Sequence, residues 1–137
     1  MSLSPMLIIH EEQSFTIGQD IFVNSTVENG NAVVFEDNEE TGYFYAISKS
    51  EKLTILDALH IYDVEDVIDK YKIFIIQILW TKDMTKAVLA INNYYHAIFD
   101  FNAKGGYCRN GFPSANNHWN LVDERILTDQ LLGELIL

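Results

Sequence analysis

Short runs of β-branched and aromatic residues alternate with turn residues along most of the sequence, and this pattern predicts a protein built mainly from strands. The strand-sized runs are residues 14–18, 21–27, 32–37, 43–48, 53–62, 73–80, 86–91 and 95–101. Asn29-Gly30 lies between two of these runs and is typical of a type I′ hairpin turn, which needs two residues with positive φ. Residues 73–80 are apolar on both alternating faces except at Gln77, so we expect a central strand that is covered on both sides.

The C-terminal residues 121–137 predict a helix, with Thr128 as a suitable N-cap. Its apolar stripe, at i, i+4, i+8 spacing, consists of Leu127, Leu131 and Leu135. Residues 64–70 predict a short helix, and the Asn- and Gly-rich residues 102–120 predict a long loop. The sequence therefore predicts an α+β fold, with an antiparallel meander sheet of about seven strands and the C-terminal helix packed on one face.

The length of 137 residues predicts a single domain over residues 1–137, with residues 1–5 disordered or derived from an expression tag. One cysteine excludes an intrachain disulfide framework. Neither a signal peptide nor an apolar run near the roughly 20 residues of a membrane span is present in this sequence. We therefore expect a cytoplasmic protein that does not enter a membrane.

Negative charge is concentrated in the first half of the chain. Residues 1–69 carry fourteen acids and two bases, a net charge of −12, whereas residues 70–137 have a net charge of +1. Phosphate contacts normally come from Lys and Arg, so this imbalance argues against nucleic acid as a partner and favours a basic protein. The predicted acidic patch consists of Glu36, Asp37, Glu39, Glu40, Asp63, Glu65 and Asp66. The alternative is a solvated acidic face without a partner.

The second half holds the densest mixture of glycine, aromatic and charged residues. The candidate binding surface there consists of His96, Asp100, Tyr107, Cys108, Arg109, His118 and Trp119. His96 and Asp100 share one strand face, but at ~3.3 Å per residue their Cα atoms lie about 13 Å apart, too far for a direct hydrogen bond. A structural alternative pairs Arg109 with Asp100 and uses Trp119 to cap the core.

No motif of catalytic or metal-binding specificity stands out in the sequence. Cys108 has an arginine beside it and His118 ten residues on, which suits a Cys–His nucleophile, but a lone cysteine is more often a small buried hydrophobe. The four histidines have no short spacing of the kind that preorganises a metal site. We therefore predict no cofactor, no metal site and no catalytic residue.

Several short stretches resemble a bacterial family known only as domain of unknown function 2251. They read VFED, TGYFYA, ILDALHIY, KAVLAIN, HAIFDF and GYCRNGFP, and the similarity spans about residues 13–120. The resemblance implies no known activity, substrate or cofactor, and it favours a strand rather than a helix at residues 55–62.

Two functions from different classes follow from these observations. The first, which we favour, is a non-enzymatic interaction domain that recognises a basic partner, similar in size and charge to bacterial immunity proteins. The second is an enzyme or small-molecule binder with a pocket around His96, Asp100, Arg109 and His118. A homodimer formed through the Leu-rich C-terminus or an exposed sheet edge is compatible with both.

Overall fold

The computed structural model describes residues 7–48, 53–114 and 118–136. In chain order the elements are β1 (Leu7–Phe15), β2 (Ile21–Thr26), β3 (Ala32–Asp37), β4 (Thr41–Ser48), β5 (Thr54–Asp63), a 3-10 helix (Val64–Asp66), β6 (Phe74–Thr81), β7 (Lys86–Ile91), β8 (Tyr94–Asp100), β9 (Gly105–Cys108) and α1 (Asp129–Ile136). The prediction for residues 1–5 falls outside the described residues.

The strands form two antiparallel sheets, one of five strands in the order β1-β6-β7-β8-β9 and one of four in the order β2-β3-β4-β5. The α+β class with a single C-terminal helix is confirmed, and the single meander of about seven strands is wrong. The chain leaves the four-stranded sheet after β5, and β6 then pairs with the N-terminal β1 instead of continuing the meander. Local alternation of apolar residues indicates strands but does not indicate which distant strands pair. The sequence pattern therefore did not predict that the strands divide into two sheets.

The main core lies between the two sheets. Its largest fully buried side chains include Trp80, Phe35, Phe44 and Phe99, and the aromatic rings of Phe44 and Phe99 meet across the interface at 5.2 Å. β6 lies between β1 and β7, so its predicted central position is confirmed. Its predicted cover on both faces holds only for the second half of the strand, because Ile73 and Ile75 are exposed.

A second, smaller core lies on the other face of the five-stranded sheet. Leu132 and Ile136 of α1 pack there with Leu79, Val88 and Ile98. Thr128 is the N-cap, because its Oγ1 accepts the N–H of Leu131 at 3.0 Å. With eight residues, α1 is shorter than the roughly 12–15 residues that are marginally stable in isolation, so packing on the sheet must stabilise it.

The helix also begins later than predicted, at Asp129 rather than at residue 121. The preceding segment is extended, and Ile126 forms a parallel bridge to Cys108 at the edge of β9. Cys108 donates its backbone N–H to Arg125 O at 3.0 Å, so this segment covers the last strand instead of coiling.

Two further elements differ from the sequence-based prediction. β1 begins at Leu7, not at residue 14, and only its terminal residues are buried, so this edge strand lacks an apolar alternation. β9 lies inside the region predicted as a loop; a Cβ on Gly106 would lie 2.6 Å from the Phe99 ring, so glycine permits the close approach of β9 to the core.

The two Asn-containing turns have different geometries. At Asn29-Gly30 only Gly30 has positive φ (92°), so the predicted type I′ turn is wrong, and the loop is closed by Val27 N–H donating to Asn31 O at 3.0 Å. At the predicted turn between β7 and β8, both Asn92 (φ 50°) and Asn93 (φ 66°) are left-handed, as a two-residue type I′ hairpin requires.

In the described ranges, α1 and the 3-10 helix are the helices, and neither has the length and apolar character to cross a membrane.

Candidate functional site

The outer face of the four-stranded sheet carries a row of side chains in contact with solvent. We call it the outer row; the register across β2 to β5 places in it Phe22, Glu36, Tyr43 and His60. Burial alternates along the strands: Phe35 and Phe44 are fully buried in the core, whereas Glu36 and Tyr43 are partly exposed and the Phe22 side chain is 63% exposed. The helix packs on the other sheet, and among the described residues Asn110 and Phe112 contact the His60 end of this face, where the His60 side chain is 13% exposed.

Tyr45 extends the outer row on the same face of β4. Its ring lies 5.9 Å from that of Tyr43 at an interplanar angle of 16°, and its hydroxyl donates to Glu36 Oε1 at 3.4 Å. Burial and the neighbouring Glu36 carboxylate raise the pKa of Tyr45 to about 12. In the described ranges, no Lys, Arg or His nitrogen forms an ion pair with Glu36. Glu36 is therefore an uncompensated carboxylate among aromatic rings.

His60 connects the outer row to the acidic residues that follow β5. Asn110 Oδ1 accepts the Phe112 N–H at 2.9 Å, which orients its amide nitrogen toward His60 Nδ1 at 2.7 Å. Nδ1 is then the acceptor, and Nε2–H donates to Asp63 Oδ1 at 2.9 Å. The His60 ring also packs edge-on against the Tyr43 ring, with 5.3 Å between the ring centroids. The imidazole therefore contacts both Asp63 and Tyr43.

An acidic cleft of about 410 Å³ lies at this end of the sheet. Its charged lining consists of Glu39, Glu40, Asp63, Glu65 and Lys70. The first two residues come from the β3–β4 turn and the others from the segment that ends β5 and follows it. Val64 N–H donates to Glu40 O at 2.8 Å, which holds the two segments together.

The seven residues of the predicted acidic patch therefore take different positions. Four line the cleft, Glu36 lies in the outer row, and Asp66 is exposed on the 3-10 helix. Asp37 is fully buried, where its carboxylate accepts from Gly18 N–H and Tyr62 O–H at 2.6 Å each and from Glu39 N–H at 2.8 Å. Asp37 is thus a structural acid that organises the turn and not part of the surface.

The structure distributes the candidate binding surface of the second half over both faces of the five-stranded sheet. Tyr107 packs with the helix-side core, whereas Cys108 is buried between the sheets. Trp119 contacts the rings of Phe99 and Phe101, which agrees with the structural alternative of a core cap. Of the remaining residues of this candidate surface, His96 is half-buried, Asp100 is 7% exposed and His118 is exposed.

Arg109 connects β8 to the helix. Its Nε donates to Tyr95 O at 2.9 Å, its Nη1 lies 3.0 Å from Asp129 Oδ1, and its guanidinium lies 4.6 Å above the Tyr94 ring. The predicted pairing of Arg109 with Asp100 is wrong, because Asp100 instead accepts the N–H groups of the turn that follows β8. Burial and the Arg109 charge lower the pKa of His96 to about 4.

A pocket around His96, Asp100, Arg109 and His118 gains no support from this geometry. In the described parts of the chain, no hydrogen bond joins any two of these four side chains. The Cys108 thiol donates to Asn110 Oδ1 at 3.3 Å, and its pKa is raised by burial, the opposite of what a nucleophile requires. Residues 7–48, 53–114 and 118–136 contain no group of three or more His, Cys, Asp or Glu arranged to hold a metal ion.

Sequence reasoning missed the outer row. Phe22, Tyr43, Tyr45 and His60 were not among the predicted site residues. The sequence of β4 contained a signal for it, because aromatic residues occupy both alternating faces of this strand. An antiparallel strand with one face toward solvent needs apolar residues only on its buried face, so the aromatic residues on the other face call for an explanation.

Comparison with known proteins adds a family and a relative. A family described as uncharacterised proteins conserved in bacteria, DUF2251, matches residues 15–136. An uncharacterised protein of Haemophilus influenzae is 36% identical over 108 residues, which cover 78% of this chain and 67% of that protein. No solved structure matches the chain significantly. The family match includes nearly all of the described strands and the helix, and the chain belongs to the bacterial family DUF2251.

Proposed function

We propose that this protein is a non-enzymatic interaction domain that recognises a basic protein through the acidic cleft. The observation that carries the proposal is that Glu39, Glu40, Asp63 and Glu65 converge there from two separate segments. Lys70 is the one basic residue in the lining. A concave surface lined by charges of one sign concentrates its field and steers oppositely charged partners.

The distribution of the cationic side chains supports this proposal. Of the nine basic residues, the two arginines are engaged internally, Arg109 with Asp129 and Arg125 with Asp57. Neither guanidinium is placed to neutralise the cleft. The four carboxylates and the one ammonium of the lining therefore leave the cleft with a net charge of −3 (1 − 4).

Exposed apolar side chains in the segment on both sides of Lys70 in the sequence favour a protein as the partner. Ile68 and Tyr71 flank Lys70 in the sequence and are 84% and 90% exposed. Ile73 is exposed as well, so three large apolar side chains of one connecting segment contact solvent. Aromatic anchors beside charged rims are typical of protein–protein contacts, whereas a small cation has no use for them.

The test measures binding of a decalysine peptide to two triple variants of equal net charge. The cleft variant is Glu39→Gln/Glu40→Gln/Glu65→Gln, and the control variant is Glu11→Gln/Glu28→Gln/Glu134→Gln, whose residues are exposed and lie outside the cleft. Calorimetry at low salt should show affinity for the wild-type protein that falls steeply as salt is added.

We expect the cleft variant to lose roughly tenfold in affinity, because three exposed ion pairs at roughly 0.5 kcal/mol each amount to about 1.5 kcal/mol. The control variant should lose less than about threefold, because its three carboxylates lie outside the cleft and act on the peptide only through the net charge. Equal losses in the two variants would mean that only net charge matters, and the proposed site would be wrong. Failure of the wild-type protein to bind either decalysine or decaarginine at low salt would overturn the function itself.

A further inference from the structure

We propose that Glu36, with Phe22 on one side and Tyr43 and Tyr45 on the other, is a subsite for an arginine side chain of the partner. The inference rests on the proposed function and names the partner chemistry that it leaves open. The subsite lies on the outer face of the four-stranded sheet and is connected to the acidic cleft through Asp63 and His60.

The Glu36 side chain lies between aromatic residues of the two neighbouring strands. Glu36 lies directly opposite Phe22 on β2 and Tyr43 on β4. Side chains paired across antiparallel strands have Cβ atoms about 4.5–5.5 Å apart, so an apolar ring stands on each side of the carboxylate. Glu36 is itself partly exposed, so a cation of a partner can reach its carboxylate between these rings.

Glu36 also has unused hydrogen-bond acceptor capacity. Oε1 accepts the Tyr45 hydroxyl at the long distance of 3.4 Å, and Oε2 accepts no hydrogen bond from a described residue. No ion pair with Glu36 occurs in the described ranges. A carboxylate with one nearly free edge can accept two parallel N–H donors from a guanidinium.

The aromatic rings distinguish arginine from lysine. A guanidinium is planar and weakly hydrated, so it can stack on Tyr or Phe while it donates to a carboxylate; an ammonium is strongly hydrated and offers no plane. The chain already contains one such contact, since the Arg109 guanidinium lies 4.6 Å above the Tyr94 ring. The 63% exposure of Phe22 leaves its ring accessible to a partner.

The test compares decaarginine with decalysine, which carry equal charge, on the full-length protein. We expect the wild-type protein to bind decaarginine at least about fivefold more tightly, and the ring protons of Tyr43 and Tyr45 to shift in NMR spectra when decaarginine is added. Glu36→Gln retains an acceptor for the Tyr45 hydroxyl and should reduce the arginine preference to less than about twofold. Phe22→Ala should reduce it as well, and because that side chain is largely exposed, folding should not suffer.

Glu28→Gln is the matched control, since it removes one exposed carboxylate at the other end of the sheet and should leave the preference intact. Two outcomes would overturn the subsite. One is an arginine preference that persists in Glu36→Gln, and the other is a wild-type protein that binds decalysine and decaarginine equally. Since decalysine binds in both cases, the proposed function would stand. Absence of binding by both peptides would overturn both proposals.

Discussion

Arg125 Nη2 lies 2.6 Å from Asp57 Oδ2, and both side chains are only 2% exposed. The guanidinium also donates to Gly106 O at 3.1 Å and Pro113 O at 3.0 Å, while Asn120 donates to the same carboxylate oxygen at 2.8 Å. Asp57 belongs to the four-stranded sheet and Gly106 to the five-stranded one. This ion pair therefore joins the two sheets and the C-terminal segment at the edge of the sandwich.

Breaking this pair should destabilise the fold strongly. We expect Arg125→Met to lower the free energy of unfolding by about 3–5 kcal/mol, because the Asp57 carboxylate is left buried without its counter-ion. Urea denaturation followed by circular dichroism measures the loss. Lys72→Met is the control: its ammonium lies 3.5 Å from Asp69, both groups are exposed, and the loss should stay below about 1 kcal/mol. Losses of the same size in the two variants would contradict the assignment.

Two Gly→Ala substitutions should have opposite effects on stability. Gly106→Ala places a Cβ 2.6 Å from the Phe99 ring and 3.0 Å from Asp57 Oδ2, so we expect a loss of about 1–3 kcal/mol from overpacking. Gly133→Ala lies inside α1 with no atom within 4 Å of the new Cβ, and should gain up to about 1 kcal/mol from helix propensity. Thermal unfolding of the two variants measures both changes in stability. A Gly106→Ala protein as stable as the wild-type protein would mean that β9 does not approach the core this closely.

His96 should make the folded state sensitive to acid. Its pKa is lowered from 6.5 to about 4 by burial and by the Arg109 charge. Below pH 6.5 the unfolded chain takes up a proton that the folded chain refuses, so the stabilising contribution present above pH 6.5 is lost as the pH falls toward 4. His96→Gln should therefore lose less stability over this interval than the wild-type protein.

Urea titrations at several pH values measure that difference, and the NMR titration of the His96 Cε1 proton measures the midpoint directly. His118→Gln is the control, because it removes an exposed imidazole instead of a half-buried one. A His96 midpoint between pH 6 and 7 would show that the ring is hydrated, contrary to its position beside Tyr94 and Arg109.

Tyr45 should make the folded state less stable as the pH rises above 10. Its pKa is raised from 10.0 to about 12 by burial and by Glu36. Above pH 10 the unfolded chain releases a proton that the folded chain keeps, so this contribution is present below pH 10 and disappears as the pH rises to about 12. Tyr45→Phe should show a shallower decline over this interval in urea titrations. Tyr94→Phe, which changes an exposed ring on the five-stranded sheet, is the control. An unchanged slope in Tyr45→Phe would contradict the Glu36 contact.

The local elements could be predicted where local chemistry decides them. The runs at 32–37 and 86–91 form strands at those bounds, and Thr128 caps the helix as its side chain and position suggest. The cleft itself was not predicted: the sequence indicated one acidic patch, and four of its seven residues line the cleft.

The candidate site required the paired sheets. Glu36 acquires aromatic neighbours through register across three strands, and Asp37, its neighbour in sequence, lies inside because successive residues of a strand face opposite sides. The same alternation separates Tyr107 from Cys108, so two predicted site residues lie on opposite faces of the five-stranded sheet.

By itself the sequence determined the strands from β2 to β8, the helix cap, the overall charge and its uneven distribution, because these depend on residue type and on short-range periodicity. The tertiary structure alone decided that β1 pairs with β6, that the strands divide into two sheets, and that Arg125 meets Asp57 68 residues away. Those outcomes depend on how two apolar faces pack and on which buried charges find partners, and neither is encoded in the spacing of neighbouring residues.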